Sequence, residues 1–111
     1  MIHLTTDFII VLVTTKDRAE AEKISHALLA ENLIACANII NPVSSFFLWQ
    51  GKIDNVEECL VVIKTRNDLF LKVAQLVKGL HSYEVPEVLA LPIVAGSADY
   101  LAWLREVLKK T

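Results

Sequence analysis

The stretch Phe46-Phe47-Leu48-Trp49 places four large apolar side chains side by side in strand-like sequence. Successive side chains of a strand point to opposite faces, so both faces of such a strand are apolar. A strand of this kind at the edge of a small domain promotes aggregation unless another surface covers it. Phe46, Phe47 and Trp49 are therefore predicted to lie in an interface between subunits.

The composition supports an oligomer. Hydrophobic residues make up 54% of the 111 positions, above the roughly 45–50% of ordinary soluble domains. The length suits one domain over residues 1–111, and no apolar stretch approaches the ~20 residues of a membrane-spanning helix. We therefore expect the surplus apolar surface to be covered by a second subunit rather than by a membrane.

The charge and the cysteines limit the possible binding partners and the cellular compartment of the protein. The net charge is −2 and the eleven Lys and Arg residues are scattered, which argues against nucleic acid as a partner. Cys36 and Cys59 lack CxxC spacing, which favours reduced thiols. The first residues show no signal-peptide pattern. We therefore expect a cytoplasmic protein.

The first half of the chain predicts two strands around one helix. Residues 8–13 are a continuous apolar run typical of a buried strand. Asp17 followed by Glu20 forms a capping-box pattern that predicts a helix ending near Asn32. Residues 34–40 predict a second strand, which is expected to end at Asn41-Pro42.

The second half predicts a hairpin, two helices and a last strand. A further strand over residues 43–53 is expected to turn at Asp54-Asn55 and return over residues 59–63. Asn67-Asp68 is predicted to cap a second helix and Ser97 a third, with a strand over residues 88–94 between them. The order β-α-β-β-α-β plus a C-terminal helix predicts an α+β, ferredoxin-like fold with an extended central hairpin.

Sequence signatures of common enzymes are missing. The three glycines cannot form a Gly-x-Gly-x-x-Gly motif, and no Gly-x-Ser-x-Gly or His-Glu-x-x-His pattern occurs. We therefore expect a protein without catalytic activity and without an organic cofactor.

Three segments carry a specific resemblance. They are LIACANI at residues 33–39, WQGKI at 49–53 with IKT at 63–65, and HSYEVPE at 81–87 with YLAWL at 100–104. Together they resemble the CutA family of divalent-cation tolerance proteins. The resemblance implies a ferredoxin-like subunit in a homotrimer, with the hairpin reaching into neighbouring subunits. It also implies a role in tolerance to copper and other divalent metal ions, with copper as the bound metal.

The same resemblance suggests His81 as a metal-binding residue, and the chemistry of its thiol makes Cys36 a second candidate. His81 matches the histidine of the family's His-Pro-Tyr loop, although Ser82 stands where the family has proline. Imidazole suits Cu(II), and the Cys36 thiolate would suit a soft metal ion. The alternatives are a histidine that hydrogen-bonds a backbone carbonyl and a buried, inert cysteine. Val13 and Leu80 occupy the positions of further copper ligands in some family members.

A polar pocket at the subunit boundary is a second hypothesis. Lys64 follows an apolar run, so its ammonium group must reach solvent or a carboxylate. Glu84 and Glu87 are the candidate carboxylates if the last strand lies nearby, with Tyr83 as the pocket wall. The alternative is a structural ion pair. Trp49 and Trp103 are predicted to pack in the interface and the core rather than bind a ligand. Because the trimer also resembles the PII signalling proteins, a signalling or scaffold protein that binds a metabolite or protein between subunits is the alternative function.

Overall fold

The computed structural model describes residues 6–109 of the predicted domain. Four strands and three helices follow one another in the predicted order. Their bounds are β1 Phe8–Thr15, α1 Arg18–Ala30, β2 Cys36–Trp49, β3 Lys52–Arg66, α2 Phe70–Leu80, β4 Val88–Pro92 and α3 Ala98–Leu108. The strands form one sheet in the order β2-β3-β1-β4, and every neighbouring pair is antiparallel. The predicted α+β class and split βαβ order are confirmed.

Helix α1 begins and ends where its sequence predicts. The Glu20 backbone N–H donates to Asp17 Oδ1 at 2.9 Å, so Asp17 is the N-cap. The Glu20 carboxylate accepts from the Lys16 backbone N–H at 3.0 Å rather than from Asp17, a variant of the capping box. Asn32 has a φ of 57°, the left-handed conformation in which asparagine commonly follows a helix end.

The predicted break at Asn41-Pro42 is wrong, because strand β2 runs through it. The pairing with β3 shifts register between Ile40 and Val43. A bulge of this kind takes up the proline, which has no N–H for the ladder, without ending the strand. The two predicted strands are therefore one strand, Cys36–Trp49.

The hairpin turn lies at Gln50-Gly51 and not at the predicted Asp54-Asn55. Trp49 pairs directly with Lys52, and the two residues between them have φ values of 51° and 79°. Two consecutive positive φ values are typical of the tight type I′ turn, whose twist matches that of the flanking strands. Asp54 and Asn55 instead lie within β3 and pair with β2.

Helix α2 also starts differently from the prediction. Residues Asn67–Leu69 form a short 3-10 turn with no side-chain cap hydrogen bond, and the Asp68 carboxylate accepts from Arg66 Nε at 2.8 Å. Because the Asp68 carboxylate is engaged in this ion pair, it does not cap the helix as predicted. At α3 the predicted cap is present, since Ser97 Oγ accepts from the Tyr100 backbone N–H at 3.3 Å.

Helices α1 and α2 cover one face of the sheet. Alternate residues of the central strands, such as Val11 and Val13 in β1 and Val61 and Ile63 in β3, are fully buried against these helices. Burial of each such side chain stabilises the fold by about 1.5–3 kcal/mol.

The second face of the sheet is apolar and largely uncovered. Cross-strand partners share a face of the sheet, and the register shows that the apolar residues of this face are Ile10, Leu12, Ile40, Leu60, Val62, Leu89 and Leu91. Helix α3 covers one end, where Leu104 and Leu108 pack with Phe8, and Arg66 Nη1 donates to the Leu108 carbonyl at 2.7 Å. We call the remaining surface the open sheet face.

The tip of the hairpin is exposed as well. Leu48 is 75% exposed and Trp49 63% exposed, and Phe46 and Phe47 are exposed beside them. None of these four side chains lies in the core of the subunit. Across residues 6–109, no helix is both long and apolar enough to cross a membrane.

Candidate functional site

His81 lies at the end of α2, where its ring is fully buried. Its backbone N–H donates to the Val77 carbonyl at 2.9 Å. Nε2 lies 2.7 Å from the Thr14 carbonyl oxygen, and Nδ1 accepts from the Tyr83 backbone N–H at 3.0 Å. A carbonyl can only accept, so Nε2 carries the proton and both ring nitrogens are engaged. His81 therefore anchors the following loop to β1, as the structural alternative supposed.

Glu20 holds the same loop from the side of α1. Its carboxylate accepts from the Ser82 backbone N–H at 2.7 Å and from the Lys16 backbone N–H at 3.0 Å. Burial acts to raise the pKa of Glu20, but these hydrogen bonds and the nearby His81 together lower the pKa below its usual value. The carboxylate is therefore a fixed anion that ties residues 16 and 82 together.

Tyr83 connects the loop to the hairpin. Its hydroxyl donates to Glu58 Oε2 at 2.7 Å, and Glu58 is only 7% exposed. Burial, the hydrogen bond to Glu58 and the charge of that carboxylate all raise the pKa of Tyr83. The phenol consequently stays protonated and remains a hydrogen-bond donor at neutral pH.

A groove of about 1010 Å³ lies between this loop and the hairpin. Four aromatic side chains and four carboxylates account for most of its lining, and none of its lining residues is basic. They are Phe46, Phe47, Trp49, Tyr83, Asp54, Glu58, Glu84 and Glu87. We call it the acidic groove. It is wide enough for a small ligand, and its charge attracts cations.

Lys64 does not line the acidic groove of its own subunit, whereas Tyr83, Glu84 and Glu87, the other residues of the predicted inter-subunit pocket, do. The strand register pairs Lys64 with Cys36 and with Ile10. Its ammonium group donates to Asn38 Oδ1 and lies 3.9 Å from Cys36 Sγ. Within one subunit the β3 residue that reaches Tyr83 is Glu58, and a pocket that brings Lys64 to Tyr83 across a subunit boundary stays a prediction. Glu58 and its contact with Tyr83 were missed in the sequence, where 25 positions separate the two residues.

The donors suggested for copper do not fit a copper ion within one subunit. Both His81 nitrogens are occupied, and the Lys64 ammonium beside Cys36 repels a metal cation. Across residues 6–109, no group of three or more His, Cys, Asp or Glu side chains is close enough together to hold a metal ion. The acidic groove can attract a cation electrostatically. Complete coordination of a metal ion would need further ligands from outside this subunit.

Comparisons with known proteins agree on one family. The sequence model for "CutA1 divalent ion tolerance protein" matches residues 9–107. The divalent-cation tolerance protein CutA of Thermus thermophilus is 43% identical over 87% of this chain and 94% of its own length. The chloroplastic protein CutA of Arabidopsis thaliana is 41% identical, and the match covers 91% of this chain and 56% of that protein.

Solved structures give the same result for the fold. The crystal structure of CutA1 from Oryza sativa superposes with a TM-score of 0.90 at 36% identity. The match covers 97% of this chain and 99% of the rice chain. The sequence match and the similarity of fold extend over essentially the same residues.

Proposed function

The chain belongs to the CutA1 divalent ion tolerance family, and from this premise we propose that it is a cytoplasmic homotrimer that contributes to tolerance of divalent metal ions, chiefly copper, by binding them. The observation that carries the proposal is the match of the family over residues 9–107. Since the family is named for tolerance, we assign the protein a binding role rather than a catalytic one.

Two uncovered apolar surfaces support the homotrimer. The open sheet face presents Leu89 and Leu91, each about half exposed, and the hairpin presents Leu48 and Trp49. Exposed apolar surface on this scale is typical of a subunit interface. Light scattering after size-exclusion chromatography should give three times the 12.4 kDa of one chain. A 12.4 kDa species at micromolar concentration would contradict the proposal.

The acidic groove supports a role with cations. Asp54, Glu58, Glu84 and Glu87 line it without a basic neighbour among the lining residues, and carboxylate oxygens are ligands for hard divalent cations. In the proposed trimer, side chains of neighbouring subunits would complete the coordination.

Calorimetric titration tests the metal site. Cu(II) and Mn(II) are titrated into the wild type, a Glu84→Gln/Glu87→Gln variant and His81→Ala. We expect the glutamine variant to lose most of its affinity, while His81→Ala changes it little provided that the variant stays folded. Equal heats from the wild type and the glutamine variant would exclude the groove, and absence of binding by either metal would exclude the metal role.

The two cysteines support the cytoplasmic assignment. Cys36 and Cys59 are both free thiols, which persist in a reducing compartment. Fractionation of the source cells with an antibody against the protein tests this assignment, and recovery in a periplasmic or organelle fraction would contradict it.

The size of the acidic groove favours a second candidate function. A volume of about 1010 Å³ exceeds what a metal ion requires and suits a small organic molecule. A PII-like signalling or scaffold trimer would bind a metabolite or protein partner at such clefts between subunits. A thermal-shift screen separates the two: stabilisation by an organic ligand and not by metal ions favours the second candidate.

A further inference from the structure

We propose that Cys36, Asn38, Lys64 and Tyr100 form a binding site for a small organic anion that carries a carboxylate or phosphate group. The site lies where the open sheet face meets α3. The proposal rests on the second candidate function, in which the protein binds a small molecule. It places the ligand away from the acidic groove and names its chemical class. All four residues belong to one chain, so the site is defined before any trimer forms.

The strand register and the first turn of α3 bring these side chains together. Cys36 in β2 is the direct cross-strand partner of Lys64 in β3, and Asn38 lies two residues further along β2. The Lys64 ammonium contacts the side chains of both β2 residues. From the other side, Tyr100 in the first turn of α3 lies close enough to Cys36 for that side chain to influence its hydroxyl. Three separate elements therefore contribute to one polar cluster.

Lys64 carries a positive charge that this subunit does not neutralise. No carboxylate within residues 6–109 lies within ion-pair distance of its ammonium group. The neighbouring side chains on the open sheet face are apolar, including Ile10 and Val62. A cation that becomes covered by apolar surface is strongly destabilised unless an anion accompanies it. A bound anion would supply the negative charge that compensates the Lys64 ammonium group.

Tyr100 and Lys64 can both donate hydrogen bonds to an anion. Burial, followed by the neighbouring Cys36 side chain, raises the pKa of Tyr100, so its hydroxyl stays protonated at neutral pH and can donate to an anion. Lys64 has three N–H donors, of which Asn38 and Cys36 take two. The third is available to a carboxylate or phosphate oxygen. A metal cation is disfavoured at the same place by the ammonium group.

The aromatic pair beside the cluster indicates what the rest of the ligand is. The Tyr100 and Trp103 rings lie 5.6 Å apart at an interplanar angle of 34°, and both are more than two-fifths exposed. The prediction that Trp103 packs in the core of the subunit is therefore wrong, since the residue is 44% exposed. An exposed aromatic surface next to a cation favours an anion that also carries a flat, apolar group.

Calorimetry with simple anions tests the site. Phenyl phosphate, benzoate and inorganic phosphate are titrated at low salt into the wild type, Lys64→Gln, Tyr100→Phe and the matched control Lys72→Gln, whose lysine is exposed on α2. Because Lys64 would make a charge-assisted hydrogen bond, we expect Lys64→Gln to weaken binding at least about tenfold and Tyr100→Phe about two- to tenfold. Lys72→Gln should bind as the wild type does, and inorganic phosphate should bind less tightly than phenyl phosphate.

The outcomes separate this site from the trimer and from the metal. Absence of binding by both aromatic anions, or equal affinities in the wild type and the Lys64→Gln variant, overturns the proposal. If Lys64→Gln does not fold by circular dichroism, unchanged affinity in Tyr100→Phe overturns it instead. If light scattering gives the mass of a monomer and phenyl phosphate binds, only the proposed trimer is contradicted. If the protein is a trimer and binds neither aromatic anion, only this site is contradicted. A preference between phenyl phosphate and benzoate identifies the anionic group.

Discussion

Tyr83 donates its hydroxyl hydrogen to Glu58 Oε2 at 2.7 Å, which joins the loop after α2 to strand β3. The same loop is held to β1 by His81 and to α1 by Glu20. Three side chains thus fix one short segment to three different elements. This explains why residues 81–87 keep a defined shape without regular secondary structure, and why one wall of the acidic groove is preformed.

Removal of the Tyr83 hydroxyl should destabilise the protein markedly. Tyr83→Phe leaves the buried Glu58 carboxylate without its described donor, and a hydrogen bond to a charged group contributes about 1.5–3 kcal/mol. Urea unfolding at fixed protein concentration measures the loss of unfolding free energy. Tyr100→Phe is the matched control, because its ring is 41% exposed and a smaller loss is expected. Equal losses in the two variants would mean that the Tyr83–Glu58 bond adds little.

Glu20 should make the protein sensitive to acid. Its pKa is lowered in the folded state from the value of 4.5, so its ionised form stabilises the fold above about pH 4.5. That contribution is lost as the pH falls below 4.5 and through the lower folded pKa. The unfolding free energy of Glu20→Gln should therefore differ most from the wild type near neutral pH, and the difference should shrink in acid. A difference that stays constant between about pH 7 and pH 3 would contradict this linkage.

The sequence predicted local structure better than contacts between distant residues. The start and end of α1 were predictable because Asp17, Glu20 and Asn32 act on their own backbone neighbourhood. The continuity of β2 was not, because Asn41-Pro42 resembles a break and only the pairing with β3 shows a bulge.

The candidate site shows the same limit. His81 and Tyr83 stood out in the sequence, whereas their partners Thr14 and Glu58 lie 67 and 25 positions away and carry no local signal. Within one subunit Lys64 contacts Cys36 and Asn38 rather than the predicted Glu84 and Glu87, and this too depends on residues distant in the chain. Which residues share a face of a sheet depends on register, and a bulge within β2 changes the register in a way that periodicity alone does not reveal.

The exposed leucine of the hairpin should matter for assembly, whereas an equally exposed leucine elsewhere should not. Leu48 is 75% exposed at the hairpin and Leu71 is 73% exposed on α2. If neighbouring subunits cover the hairpin, Leu48→Ser removes interface contacts and shifts the oligomer towards smaller species on dilution. Leu71→Ser should leave the mass unchanged. Light scattering over a dilution series makes the comparison, and identical behaviour of the two variants would place the interface away from the hairpin.

Replacement by alanine should lower the stability of the protein at Gly51 and raise it at Gly79, although both glycines have equal space around them. A Cβ added at Gly51 or at Gly79 meets no atom within 4 Å, but only Gly51 has a positive φ, at 79°. Gly51→Ala therefore forces alanine into a left-handed conformation in the hairpin turn, which costs about 1–2 kcal/mol. Gly79 lies in α2, where alanine is favoured by about 0.8–1 kcal/mol. Thermal unfolding of both variants should show a lower midpoint for Gly51→Ala and a higher one for Gly79→Ala. Since neither substitution creates a steric contact, a destabilised Gly79→Ala or an unchanged Gly51→Ala would contradict the assigned backbone conformations.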